Sequence, residues 1–138
     1  MSVVVHPFDI YRPAFFSPRE FQGWATMMDV TLLVRLDTWR ALWGKPIAIS
    51  SHPRGVGREV EEGKPGYDSQ HNYVQWRQVR AVDCIPSGIT TADDLRRARD
   101  LAIDAGFTGV GVYPHWRPSP GVHVDTRRSN VPGEPALW

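Results

Sequence analysis

The sequence predicts an α+β fold, with a small antiparallel sheet, helices packed on one of its faces and a metal site on the other. Twelve glycines and twelve prolines divide the 138 residues into short elements. Three segments have helix signals, and four others have the composition or the polar–apolar alternation of strands. The length suits one apolar core, so residues 1–138 are expected to form one domain.

The helices are predicted from their start and stop signals. Residues 17–20 combine an N-cap serine, a proline and a capping-box glutamate, so a short helix begins there. The second helix covers residues 29–43 and carries apolar residues at helical spacing before a glycine ends it. A threonine caps the third helix, which covers residues 91–106.

The strands are predicted at residues 45–50, 80–84, 108–113 and 122–126. A proline-rich turn separates the last two, which favours a hairpin with a long connection. Residues 51–78 are expected to form an irregular loop, and loops of that length in small domains are often functional. The tail after Arg127 is also expected to be irregular.

Charge and cysteine content limit the classes of partner and site. Sixteen basic and 15 acidic side chains nearly balance, so no nucleic acid or anionic membrane partner is expected. The single cysteine excludes an internal disulfide and a cysteine-rich zinc cage, so a metal would need histidine and carboxylate ligands. No signal peptide or membrane-inserting stretch is recognised, which predicts cytoplasmic synthesis. Oligomeric state stays open.

Histidine and aspartate recur on one face of the predicted sheet. His123 and Asp125 alternate with valines, and Asp83 lies opposite its own apolar neighbours on another strand. His71, at the end of the long loop, could complete a cluster of three ligands with an open fourth position, as catalytic zinc requires. Such residues on a half-exposed strand are more often hydrogen-bonded surface groups, so both interpretations stay open.

Several short blocks of the chain resemble, in order, the family of zinc D-alanyl-D-alanine carboxypeptidases and phage peptidoglycan endopeptidases. The resemblance covers roughly residues 17–128. The blocks are Leu36–Arg40, Gly44–Ile47, Ile49–Arg54, Ser69–His71, Ala81–Asp83, Ala105–Pro114 and Val122–Arg127.

The resemblance implies that His71, Asp83 and His123 bind Zn²⁺ and that Arg54 holds a carboxylate of a peptidoglycan stem peptide. A guanidinium suits that role because it pairs bidentately with a carboxylate and stays charged. Ser69 would brace the site or contact substrate. The implied activity is zinc-dependent hydrolysis of a peptide bond in peptidoglycan, by a carboxypeptidase or by an endolysin-like endopeptidase.

Two departures from the family pattern affect the site. His71 and Asp83 lie 12 positions apart instead of close together, which resembles an insertion at residues 72–79. The acid that many members carry three residues before the last histidine is replaced by Pro120. Asp125 is then the predicted proton acceptor, or else it orients a ligand. Other candidate acceptors are Glu59, Glu61, Glu62 and His115.

The size and the lack of a recognised export signal suit a phage-encoded enzyme that is delivered to the cell wall or carried in the virion. The alternative is a noncatalytic phage tail or virion module that keeps the peptidase fold. The missing acid at position 120 is the feature that favours this alternative.

Overall fold

Short apolar strands form a five-stranded sheet in the computed structural model, which describes residues 5–138. Its order is β1-β2-β4-β3-β5. The strands are β1 (Ile47–Ile49), β2 (Ala81–Pro86), β3 (Gly109–Tyr113), β4 (Gly121–Asp125) and β5 (Ala136–Leu137). The α+β class and the four predicted strands are confirmed.

The sheet is mixed, whereas a wholly antiparallel sheet was predicted. Strands β1 to β4 pair antiparallel, but β5 pairs parallel to β3. This strand comes from the tail that was expected to be irregular. It is only two residues long and follows a turn with Gly133 at φ 87°, so it carries no alternating pattern that the sequence could show.

Two longer helices flank the strands, with shorter turns around them. Asp29 caps the first long helix by accepting a hydrogen bond from the Thr31 amide, and Gly44 ends it in the left-handed conformation. No helix within residues 5–138 is long and apolar enough to cross a membrane. The helices are α1 (Pro7–Ile10), α2 (Val30–Trp43), α3 (Tyr73–Trp76) and α4 (Ala92–Asp104), with 3₁₀ turns at Pro18–Phe21 and Ala25–Met27.

The apolar core lies between the sheet and the two long helices. Val82 on β2 and Val124 on β4 pair across the sheet and are both fully buried. Trp39 of α2 is fully buried and packs edge-on against Phe107, with ring centroids 5.9 Å apart. Its indole nitrogen donates to the Ala98 carbonyl at 3.0 Å. Because these residues occupy one side of the sheet, the alternate strand positions are left for polar side chains.

The long loop between β1 and β2 is held by the buried side chain of Asn72. This side chain donates to the carbonyls of Val60 and Tyr67 at 2.9 and 2.8 Å, and it accepts from the Val60 amide at 2.9 Å. A bridge also joins Arg58 to Asn72. The loop therefore presents His71, the residue before Asn72, at a defined position.

A second buried polar group, Asp37 of α2, attaches the segment before the helices. Its carboxylate accepts from the Tyr11 hydroxyl at 2.6 Å, from the Ala14 amide at 2.7 Å and from the Phe15 amide at 3.2 Å. The block Leu36–Arg40 thus contains an aspartate with a structural role.

We expect Asp37→Ala to lower the free energy of unfolding by about 2–4 kcal/mol, because it leaves two amides and a hydroxyl without their acceptor. Tyr11→Phe removes one of these bonds and should lower it by about 1 kcal/mol. Urea unfolding followed by tryptophan fluorescence measures both. Thr38→Ala, at the exposed neighbouring position, is the control. An Asp37→Ala loss no larger than the control's would contradict this role.

Candidate metal centre

Neighbouring strands place two of the predicted ligands side by side. Asp83 on β2 is the register partner of His123 on β4, which in turn faces Gly111 on β3. The loop brings His71 against both. The polar face predicted from strand alternation is therefore present, and it gathers the three residues that lie up to 52 positions apart in the chain.

The three side chains meet through one atom each. His71 Nε2 lies 3.3 Å from Asp83 Oδ1 and 3.2 Å from His123 Nδ1. His123 Nδ1 lies 3.2 Å from Asp83 Oδ1. All three side chains are largely buried, with exposed fractions of 3%, 14% and 9% for His71, Asp83 and His123.

The outer nitrogen of each imidazole shows which ring atom carries the hydrogen. His71 Nδ1 lies 2.6 Å from the Val56 carbonyl, which can only accept, so this nitrogen is the donor. His123 Nε2 lies 2.7 Å from an Asp125 carboxylate oxygen and donates for the same reason. In the neutral rings, the lone pairs of His71 Nε2 and His123 Nδ1 therefore point at the cluster.

Three hydrogen-bond acceptors thus converge with no hydrogen between them, which is unfavourable unless a positive charge joins them. A tetrahedral ion bound at about 2.0–2.1 Å keeps its ligand atoms about 3.3 Å apart, close to the separations in this triangle. The donor set of two imidazole nitrogens and a carboxylate oxygen also suits such an ion. His71, Asp83 and His123 form a cluster that could hold a metal ion.

The charges at the cluster shift the pKa values of all three residues. Burial lowers the pKa of His71, although Asp83 acts in the opposite direction. Burial also disfavours the charged form of His123, but hydrogen bonds to Asp125 and Asp83 outweigh it and raise the pKa of this histidine. Burial is likewise outweighed at Asp83, where the two histidines lower the pKa to about 2. A proton on His123 can thus occupy the place of a metal ion.

The carboxylate of Asp125 lies behind His123, on the side of the ring away from the cluster. It is fully buried, and Arg127 binds it through Nε at 2.9 Å and Nη2 at 2.6 Å. Burial works against the charged form, but His123 and Arg127 hold the pKa of Asp125 well below its usual range. This placement fixes the tautomer and the orientation of His123, as carboxylates behind metal-binding histidines do.

Two glycines on β3 make room for groups that support the cluster. A Cβ atom at Gly109 would lie 2.2 Å from the Asp125 carboxylate, and one at Gly111 would lie 2.4 Å from the Trp138 indole nitrogen. Strand β5 carries Trp138 into the second space, where its ring lies 5.0 Å from that of His123. The Arg127 guanidinium also contacts this indole and lies over its ring, 4.9 Å from the centroid. Small residues at these two positions are thus required for the site.

A cavity of about 390 Å³ opens over the cluster. Its walls include Arg58, Asp68, Trp116 and Trp138 as well as the three cluster residues. A second cavity of about 330 Å³ is lined by Arg54 and again by Asp83, Arg58 and Trp116. The two cavities share these three lining residues, so they adjoin each other, and together they are called the groove.

Of the remaining predicted site residues, some line one of the two cavities and others line neither. Ser69 lines the cavity over the cluster, and its hydroxyl accepts from the His71 amide at 3.3 Å, so it braces that ligand. The exposed Arg54 lines the adjoining cavity. The segment 72–79, which was expected to be an insertion, lines neither cavity, and the same holds for the other candidate proton acceptors, Glu59, Glu61, Glu62 and His115.

Sequence reasoning missed Arg58, Asp68, Trp116 and Trp138. The first two lie in the irregular loop, where no periodicity marks a side chain as facing the site. Trp138 could have been suspected, because Gly109 and Gly111 alternate on the polar face of a strand, and glycine in a strand often marks the close approach of another group.

Comparison of the chain with protein-family models, with curated proteins and with solved structures finds no match.

We expect the affinity of the cluster for a metal ion, with zinc as the probe, to fall by about tenfold per pH unit once His123 begins to bind a proton, because proton and metal compete for the same nitrogen. The raised pKa of His123 places the onset above its usual value of 6.5. Affinity should therefore already be falling above pH 6.5, and it should continue to fall toward pH 5. Calorimetric zinc titration across this range measures it.

His71→Ala should abolish this binding, and His115→Ala, at an exposed turn position, is the matched control. Affinity that is independent of pH between 8 and 5, or that survives His71→Ala, would contradict the proposed ligand set.

Proposed function

We propose that the chain is a zinc-dependent peptidase that cleaves peptide bonds in peptidoglycan. The observation that carries the proposal is the convergence of three hydrogen-bond acceptors, His71 Nε2, Asp83 Oδ1 and His123 Nδ1, at tetrahedral spacing below an open cavity. The resemblance of residues 17–128 to the zinc carboxypeptidase and endopeptidase family supplies the substrate class.

In this proposal, some of the site residues bind the metal and others bind the peptide. When bound, zinc supplies Lewis-acid polarisation of a carbonyl and lowers the pKa of water toward about 7. His71, Asp83 and His123 leave one side of the cluster open to the groove, which suits a catalytic site. Arg54, which lines the adjoining cavity, binds a carboxylate of the stem peptide and so fixes which bond reaches the cluster.

A proton acceptor is needed to activate the attacking water, and Asp68 is the better candidate. It lines the cavity over the cluster, and the only other acidic side chain in that wall, among residues 5–138, is that of the proposed ligand Asp83. Asp125 was predicted for this role, but its oxygens already accept from His123 and Arg127 and are buried. We assign Asp125 to orienting His123 and Asp68 to accepting the proton.

A noncatalytic phage tail or virion module is the second candidate. It is favoured by Pro120 at the position where many family members carry an acid, together with the engagement of Asp125. In either case the partner is the peptidoglycan stem peptide, and delivery to the cell wall by a phage, or in its virion, is part of the proposal.

Incubation of the zinc-loaded chain with purified cell wall tests the function. We expect soluble fragments that carry new amino termini, and their release should stop with a chelator and in Asp83→Ala, which loses a metal ligand. Mass spectrometry of the fragments identifies the bond that is cut. If walls of several chemotypes yield no fragments although zinc is bound, the noncatalytic module becomes the better interpretation.

Two isosteric variants separate the roles of the acids. Asp68→Asn should keep zinc affinity and lower kcat by about 10²–10⁴, the usual contribution of a positioned proton acceptor. Asp125→Asn should instead weaken zinc binding by about 10- to 100-fold, because it removes the charge behind His123. Zinc titration and wall hydrolysis at saturating zinc measure both. The reverse pattern would make Asp125 the proton acceptor.

A further inference from the structure

The groove beside the cluster is rich in arginine side chains. Arg54, Arg58 and Arg117 line the cavity of about 330 Å³, where Asp83 is the only acidic side chain from the described part of the chain. Within residues 5–138, none of these arginines forms a salt bridge. Three guanidinium groups around one cavity repel each other unless an anion enters.

Backbone carbonyls hold two of these arginines in place. Arg58 Nε donates to the Arg54 carbonyl at 3.0 Å, and Arg117 Nη1 donates to the carbonyls of His115 and Trp116 at 3.3 Å each. Each guanidinium keeps further N–H groups for a ligand. Burial, followed by the charge of Arg54, lowers the pKa of Arg58, which reflects how closely the cations are placed.

The positions of the arginines relative to the cluster differ. Arg58 lines both cavities and so stands between Arg54 and the metal ligands, whereas Arg54 and Arg117 line only the outer cavity. A carboxylate bound by Arg58 would therefore lie nearer to the cluster than one bound by Arg54 alone.

A rigid apolar wall completes the groove. The Trp116 ring stacks on Tyr113 with centroids 4.3 Å apart and an interplanar angle of 8°. It fits into a space that Gly121 leaves open, since a Cβ there would lie 2.2 Å from the indole. Ile85 faces the same cavity from β2. Aliphatic parts of a peptide can pack here while its charged groups contact the arginines.

We infer that Arg58 and Arg117 form a second carboxylate subsite, separate from that of Arg54, which selects stem peptides with two free carboxylates near the scissile bond. The inference rests on the proposed function for its substrate class. Besides the carboxylate at the peptide end, the second group has two possible sources. It is the free α-carboxylate of a side-chain-linked glutamate, or the side-chain carboxylate of a diaminopimelate residue.

Amidation of the recognised carboxylate should weaken binding, because a neutral amide cannot accept two charge-assisted hydrogen bonds from a guanidinium. We expect a loss of about 10- to 100-fold in affinity. Selectivity of this kind would restrict the chain to cell walls whose stem peptides are not amidated at that position.

Three synthetic stem pentapeptides test the inference with the zinc-loaded chain. The parent carries both carboxylates as well as a free chain end, and each derivative has one of the two converted to carboxamide. Titration calorimetry gives the affinities, and mass spectrometry of the same samples shows whether the peptides were cleaved. The derivative that binds more weakly identifies the source of the carboxylate.

Variants assign the effect to residues. In Arg58→Gln and in Arg117→Gln, the affinities for the parent and for the weaker derivative should become nearly equal. Arg58→Lys keeps the charge and should retain part of the preference for the parent. Arg54→Gln should weaken all three peptides alike. Arg96→Gln, at an exposed position of α4, is the control and should change nothing.

The outcomes separate the two proposals. Affinities within twofold for all three peptides, a preference unchanged in Arg58→Gln and Arg117→Gln, or no binding of the parent would overturn the second subsite. Selective binding without cleavage would support the subsite and overturn the peptidase activity. Cleavage of all three peptides with equal efficiency and affinity would support the peptidase activity and overturn the second subsite.

Discussion

The buried carboxylate of Asp125 is the group on which the rest of the site depends. A fully buried charge is tolerated only when partners compensate for its lost hydration, and here His123 and Arg127 do so together. The same contacts fix the His123 ring and bring Arg127 under the aromatic face of Trp138. One carboxylate thus aligns a cluster nitrogen, an arginine and the aromatic wall of the groove.

Alternation along the strands explains how so small a chain provides both a core and a polar site. On β4, Val122 and Val124 are buried against the helices, and His123 and Asp125 project to the other side. Antiparallel pairing with β2 then places Asp83 next to His123 without further constraint. Ligand atoms on paired strands are more precisely held than atoms on loops, and only His71 has to be delivered by one.

The sequence predicted the parts of this molecule that have a period or a cap. The spacing of apolar residues predicts helix α2 and strand β4. The cluster was predicted from the alternation of polar and apolar residues together with the family resemblance. Strand β5 is too short for a period, and Arg58 and Asp68 lie in a loop whose course depends on hydrogen bonds of Asn72. Tertiary contacts, which no local pattern encodes, decide the position of these residues.

The cluster brings three hydrogen-bond acceptors together, which is unfavourable while both imidazoles are neutral and no ion is bound. His71 donates to the Val56 carbonyl and His123 donates to Asp125, so neither ring can turn away from Asp83 without losing that hydrogen bond. Three acceptors held in this way destabilise the chain unless a proton or a metal ion joins them. Local conflicts of this kind concentrate at functional sites, where a ligand resolves them. The cavity over the cluster is not lined by residues 72–79, so an ion bound there would be accessible to a ligand from the groove.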